Sequence, residues 1–446
     1  MTGSFTEDLT RSLSVSPSLD LHDDLHGSAA DPAVGSLSFL NEVMGRYPGA
    51  ISFAPGAPHT SFYEDLDLTR CIDVCLGDLA RRRGLDRKAA ERLLFEYGPS
   101  RGIINGIVAE ALDRDYRLGA DPADVVITVG CQEAMFLTLR ALFRGGGDTL
   151  AVVNPSFVGI LGAARLLDID VVPVSEGTTG IDLAQLQRLC DEARAERRRI
   201  RALYVAPDFA NPSGTRMALE TRRGLLELAH REGLVLLEDT AYGFTAEPGD
   251  GLPPLGAMDT AGSVVTLGTF AKVCLPGARV GYAVAGQRVT GRATGGTRRL
   301  ADVLAEMKTM VTVNTSPIAQ AVVGGLLLEH GGSIVRAGRA KAELYRRNLR
   351  LLTEALDRQV AGRVPQVTWN RPDGGFFVRL RLPVAVDMEL LTYSAAEHGV
   401  LWTPMSTFYL DGSGDRELRL ACSYLDPADI DEGVRRLADF LAVVAR

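Results

Sequence analysis
The chain predicts an α/β fold, a mostly parallel seven-stranded sheet with helices on both faces, followed by a smaller α+β domain. Three observations carry this. Between residues 120 and 290, seven short apolar runs alternate with longer helical stretches: DVVITVG, TLAVVNP, DVVPV, RALYVAP, LVLLED, SVVTLG and RVGYAVAG. Near-continuous apolar runs separated by helices are the pattern of strands covered on both faces. Second, the texture changes after about residue 310, where a long helical region leads into QVTWNRPDGGFFVRLRLP, ELRLACSYL and a terminal helix. Third, polar and special residues follow the strands, at GCQEA, NPSF, PDFANPSG, EDTAY and GTFAK. Ligands of parallel sheets bind beyond the carboxyl ends of the strands.

In chain order, residues 1–32 are rich in Ser, Asp and Gly and read as a mobile arm. A lead-in over 33–60 is expected to pack on the small domain. It holds a short helix, SLSFLNEVMGRY, and an extended stretch beginning ISFAPGAP. Residues 61–310 form the large domain and 311–446 the small one. The net charge of −8 argues against a nucleic-acid surface. No stretch of about 20 apolar residues offers a transmembrane helix, and the N-terminus has no secretory signal pattern. Six dispersed cysteines without a CxxC pair read as reduced thiols in a cytoplasmic protein. Cys71 and Cys75, one helical turn apart, read as a packed face, and no metal site is expected, His22 and His26 included.

The chemistry collects at the strand ends. Of 48 cationic residues only four are lysines, and Lys88, Lys308 and Lys341 read as exposed helix faces. Lys272 instead lies in GTFAKVCLPGARVGY, a Gly- and Pro-punctuated loop. A desolvated lysine can shed its proton and attack carbonyls, which arginine cannot do. Asp239 ends a nearly pure apolar strand, so its carboxylate needs a cation or strong donor. Tyr242 follows it, Asn211 opens NPSG, and Phe157 offers a flat face. GCQEA opens a helix whose free N–H groups suit a phosphate, and Arg279 is a second phosphate reader. Each feature alone fits an ordinary cap, turn or core position. Together they describe pyridoxal phosphate bound to Lys272 as a Schiff base.

The residues that carry this also carry a resemblance. From about residue 50 to the C-terminus the chain resembles the fold-type I, class I/II aminotransferases dependent on pyridoxal 5'-phosphate, most closely the kynurenine/2-aminoadipate branch. The matching stretch is Thr269-Phe270-Ala271-Lys272 followed by Pro276-Gly277-Ala278-Arg279-Val280-Gly281-Tyr282. The resemblance implies that Lys272 is the Schiff-base lysine, with Asp239 at the pyridinium nitrogen, Asn211 and Tyr242 at the ring oxygen, and Phe157 stacked on the ring. Cys131, Gln132, Thr269 and Arg279 would hold the phosphate. Tyr97 would reach the phosphate of a neighbouring subunit, implying a homodimer. Arg419, with Asn211 and Gly56, would meet the substrate, the arginine clamping its α-carboxylate. Ala271, Cys131, Pro55 and Met405 depart from the family pattern.

For the substrate, PAVGSLSFLNEVMG lacks the arginine with which aminoadipate-preferring members meet a distal carboxylate. Phe53, Phe62, Tyr63 and Phe408 give the expected entrance an aromatic tone. An aromatic or bulky neutral amino acid is therefore expected. The branch includes hydroxyphenylglycine aminotransferases of antibiotic pathways. Other outcomes of the same cofactor (β-elimination, racemisation, oxidation) stay open. A serine hydrolase using Ser100 in Gly98-Pro99-Ser100-Arg101-Gly102, with Asp239 and His398, is the remote alternative. A non-catalytic sensor is disfavoured by the short, acidic leader.

Overall fold
The computed structural model describes residues 25–31, 45–290 and 296–445. Residues 1–24, most of the arm, lie outside it, as does most of the expected short helix over 36–47. Residues 27–30 form a 3-10 turn whose neighbours reach the end of helix Val158–Leu166 and the segment after it, with His26–Asp168 at 3.2 Å and Asp31–Arg165 at 2.9 Å.

Strand β1 (Ile51–Ser52) precedes the main sheet. That sheet contains β2 (Val125–Thr128), β3 (Asp148–Asn154), β4 (Asp170–Gly177), β5 (Gly180–Ile181), β6 (Arg199–Val205), β7 (Val235–Asp239), β8 (Val264–Thr269) and β9 (Gly281–Val284). Their order is β2-β9-β8-β7-β6-β3-β4-β5. The seven expected strands are all present. The two-residue β5 folds back on β4 and makes an eighth. Only β9 and β5 run against the rest, so the polar strand-end segments meet at one rim.

The sheet is buried from both sides because successive strand residues point to opposite faces. Leu150, Val152, Ala202, Tyr204 and Leu237 pack with helices Gly130–Leu142, Val158–Leu166 and Leu300–Val311. The alternate residues Ala151, Val153, Leu203, Val205 and Leu236 pack with helices Leu183–Ala195 and Leu219–Glu232. Asp239 shares the parity of Leu237 and so the face of Tyr204.

A hairpin, β10 (Arg288–Thr290) and β11 (Thr297–Arg299), leads to helix Leu300–Val311. Beyond it, β12 (Thr368–Trp369), β13 (Phe377–Arg381), β14 (Val400–Leu401), β15 (Thr403–Pro404) and β16 (Glu417–Ala421) complete the strands among the described residues. Four of these make an antiparallel sheet ordered β12-β13-β16-β15, and β14 pairs in parallel with β1. The 26-residue helix Ile334–Gln359 and helix Pro427–Val444 cover that small sheet. Helix Pro317–Glu329, which follows residue 310, packs on helix Leu68–Arg83.

Two of the expected surface lysines are corrected. Lys308 is fully buried, held by Glu133 Oε2 at 2.7 Å and Thr312 Oγ1 at 2.6 Å. Lys341 is buried on the long helix. Helical spacing marks which residues share a face, but not which face another segment covers. Phe53, expected near an entrance, is core, packed beside Gly433.

Cys71 and Cys75 face helix Pro317–Glu329 across a close contact. A Cβ added to Gly324 would lie 2.8 Å from the Cys75 sulfur, and one on Gly325 would run into the Cys71 carbonyl. Overpacking so tight a backbone contact costs about 1–3 kcal/mol or more. Gly325→Val should lower the unfolding free energy by at least that in denaturant titrations. Gly362→Ala, with open space around the site, should leave it within about 0.5 kcal/mol.

Candidate active site
Five strand ends build the site. β2 stops at Thr128, and helix Gly130–Leu142 begins two residues later with no side-chain cap at Val129. Its first N–H groups, at Cys131 and Gln132, therefore face the rim without a capping side chain. Gly130 has φ +69°, a left-handed geometry that glycine adopts without strain. A Cβ there would also strike the Arg279 guanidinium. A Cβ on Gly281 would lie 2.6 Å from the Cys131 nitrogen. Glycines at 130 and 281 thus let the helix start, β9 and Arg279 converge. Glu133 accepts from Val129 N–H at 2.6 Å and pairs with Lys308, which ties this helix start to helix Leu300–Val311.

Asp239 is buried at the end of β7. It accepts hydrogen bonds from Tyr204 O–H at 2.8 Å and Ala241 N–H at 3.1 Å. Burial raises its pKa, while Tyr204, Ala241 and the Lys272 charge oppose the rise. Tyr242 is buried edge-on to Phe376 and Phe377, with centroids 5.3 and 5.6 Å away. Burial also raises its pKa, and Asn211 lies against its hydroxyl.

Lys272 follows β8, flanked by buried Phe270, Ala271, Val273 and Cys274. Its ammonium donates to the Gly56 carbonyl at 2.6 Å. Burial, reinforced by Arg419, lowers its pKa from the ordinary 10.5 to about 8. Such an amine is within reach of its neutral, nucleophilic form near physiological pH. Thr269 Oγ1 accepts from Ala271 N–H at 3.1 Å. The alanine at 271 leaves Thr269 as the hydroxyl side chain of this turn.

Arg419 enters from β16. Its Nη1 donates to Asn211 Oδ1 at 2.6 Å, and its Nη2 to Ala54 O at 2.7 Å and Thr403 Oγ1 at 3.2 Å. The guanidinium lies 4.5 Å from the Phe377 centroid and 5.2 Å from that of Phe408. Burial lowers its pKa to about 10. Its Nε is buried and has no partner among the described residues. A desolvated cation with an unanswered donor calls for an anion.

Phe157 and Asn211 line the same small cavity as Tyr204. The structure thus brings together Lys272, Asp239, Tyr242, Asn211, Arg419 and Gly56, with Cys131, Gln132, Thr269 and Arg279 around the helix start. Tyr97 is the exception. It is 89% exposed. Sequence reading missed Tyr204, Ala54, Thr403 and Phe377. A tyrosine inside an apolar strand, whose hydroxyl must find a partner, was the one available signal.

The hydrolase constellation is not assembled. Ser100 bonds Thr309 Oγ1 at 2.7 Å, while His398 packs on Tyr393 and Phe440.

The donor set fits pyridoxal 5'-phosphate: an uncapped helix start with an adjacent guanidinium, a buried carboxylate, and a depressed-pKa lysine. The comparisons agree. The family model described as "Aminotransferase class I and II" matches residues 79–437. The chain is 46% identical over 422 residues to an (S)-3,5-dihydroxyphenylglycine transaminase of Amycolatopsis orientalis, covering 95% of this chain and 94% of that one. It is 31% identical to a 2-aminoadipate transaminase of Thermus thermophilus, covering 87% and 89%. A solved structure, the α-aminoadipate aminotransferase LysN of T. thermophilus complexed with N-(5'-phosphopyridoxyl)-L-leucine, matches with a TM-score of 0.77. It is 29% identical and covers 95% of this chain and 98% of that one.

Two predictions follow from the geometry. Between pH 8 and 10.5 the unfolded chain keeps a proton on residue 272 that the folded, cofactor-free chain has lost. That group alone therefore makes stability rise with pH across this window, with its cost greatest below about 8. Lys272→Met should abolish this part of the slope in parallel pH-dependent melts of cofactor-free protein. Tyr204→Phe removes a hydrogen bond to a charged group, worth about 1.5–3 kcal/mol. Steady-state kinetics should show kcat lower by about 10–100-fold.

Proposed function
The chain belongs to the class I and II aminotransferases, and from that premise we propose that Lys272 is its catalytic base and that its amino donor or product is an aromatic amino acid of the hydroxyphenylglycine type. It is a transaminase that moves an amino group between an amino acid and a 2-oxo acid, and its cofactor is pyridoxal 5'-phosphate. The observation that carries the reading is the Lys272 amine held on the Gly56 carbonyl at 2.6 Å, its pKa lowered to about 8 by burial and by the nearby Arg419 charge.

When bound, the cofactor supplies the electron sink for the negative charge left as the Cα proton departs. The chain's residues do the rest. Arg419 fixes the α-carboxylate, with Asn211 and Thr403 holding the guanidinium plane. Lys272 Nζ takes the Cα proton and later returns it. A positioned base of this kind contributes about 10²–10⁴-fold. Asp239 would keep the cofactor's ring nitrogen protonated, and Tyr204 holds the carboxylate in place. Tyr242 and Asn211 would bond the ring oxygen and Phe157 would stack on the ring. Cys131 N–H, Gln132 N–H, Thr269 and Arg279 would hold the phosphate.

The aromatic substrate class is supported by the 46% identity to the dihydroxyphenylglycine relative. It is supported also by the arginine-free stretch PAVGSLSFLNEVMG. A homodimer is supported by large apolar side chains left exposed on the single chain, Phe95 at 80%, Tyr97 at 89% and Met310 at 82%. Exposed apolar surface of this kind marks interfaces, and Tyr97 would complete the partner's phosphate site. Six buried, unpaired thiols support a cytoplasmic setting.

Product analysis with and without an added 2-oxo acid tests the reaction. Amino-group transfer should need the acceptor and release the donor's 2-oxo acid. Keto acid formed without an acceptor and beyond one equivalent would instead mean elimination or oxidation. Lys272→Ala should lose turnover by about 10²-fold or more, and turnover near the parent value would refute its role. In a substrate panel, arylglycines should exceed glutamate and 2-aminoadipate in kcat/KM; the reverse order would overturn the substrate class.

A further inference from the structure
Lys341 breaks the usual rule for buried charge. It lies on helix Ile334–Gln359 and is 6% exposed. Among the described residues no carboxylate pairs with it. Its ammonium donates to the carbonyls of Val273 and Cys274, each at 2.6 Å. It also lies 5.5 Å from the Phe62 ring centroid and 5.6 Å from that of Tyr63. Carbonyl dipoles and aromatic faces compensate a desolvated ammonium only in part. A helix that needed only packing at this position would be served better by methionine.

The groups it holds point to another use. Val273 and Cys274 directly follow Lys272, and Cys274 N–H closes the same turn onto Phe270 O at 2.8 Å. Phe62 and Tyr63 end the segment whose Gly56 carbonyl receives the Lys272 amine. One buried cation thus binds the far side of the Lys272 turn to the segment that faces its near side. Burial depresses the pKa of Lys341 as well.

We propose that Lys341 is a positioning residue: it clamps the Val273–Cys274 backbone against the 56–63 segment and so fixes where the Lys272 amine points. It meets neither substrate nor cofactor. The proposal rests on the reading of Lys272 given above. Failure of that reading would appear separately, as turnover surviving Lys272→Ala.

The test uses Lys341→Met. In cofactor-free protein, pH-dependent reductive methylation read residue by residue gives the titration midpoint of Lys272. It should move from about 8 towards the 10.5 of a solvated lysine, with the melting temperature unchanged or higher. In the holoenzyme, kcat should fall about 10–100-fold with KM for the amino acid unchanged, the scale expected when a reacting group is misplaced by about 1 Å. A midpoint that stays near 8, or a kcat within twofold of the parent, overturns the proposal. So does a loss of turnover that disappears at equal folded fraction. Should the methionine variant not fold, Lys341→Gln is read by the same measurements with the same outcomes.

Discussion
The hydrogen bond from Lys272 Nζ to the Gly56 carbonyl joins positions 216 residues apart, and the rest of the site is arranged around it. It holds an amine in a place where water cannot fully solvate it. Arg419 sits near enough to disfavour a second positive charge there, and Asp239 partly offsets that pressure. The amine therefore sheds its proton more readily than a solvated lysine, which exposes a nucleophile's lone pair. Without the burial, Lys272 would be an ordinary protonated surface lysine, and the carboxylate, phenol and guanidinium around it would have no common task.

The fold supplies the convergence. Six strands running one way deliver their ends to one rim, and strand alternation puts Tyr204 and Asp239 on the same face, where they bond. The small sheet delivers Arg419 from the opposite side, its position fixed by the register with Arg379 and Thr403. The groups proposed for the cofactor and for the substrate α-carboxylate thus come from separate layers, and the 52–63 segment reaches both Lys272 and Arg419. Lys341 ties that segment to the turn carrying Lys272.

How much of this was legible varies by residue. Lys272 stood out because the chain takes nearly all its positive charge from arginine, so a loop lysine after an apolar strand carried information. Asp239 was legible because a carboxylate ending the apolar run LVLLE needs a cation or strong donor, although alone it could equally have been a cap. Tyr204 was not, because one phenol in RALYVAP reads as core until its neighbour across the sheet is known. Arg419's partners Ala54 and Thr403 were out of reach for a related reason: their contact is set by sheet register, which local pattern does not encode. Lys308 and Lys341 were misread as surface residues. Their helices are amphipathic, but coverage by helix Gly130–Leu142 in one case and by the Lys272 turn in the other is a tertiary fact.

The central claim is that one particular amine carries the cofactor. Borohydride reduction of the holoenzyme, followed by peptide mapping, tests it most directly. A phosphopyridoxyl group on Lys272 alone is the predicted result. A label on Lys88, Lys308 or Lys341, or none on any lysine of a protein that has bound the cofactor, would contradict it.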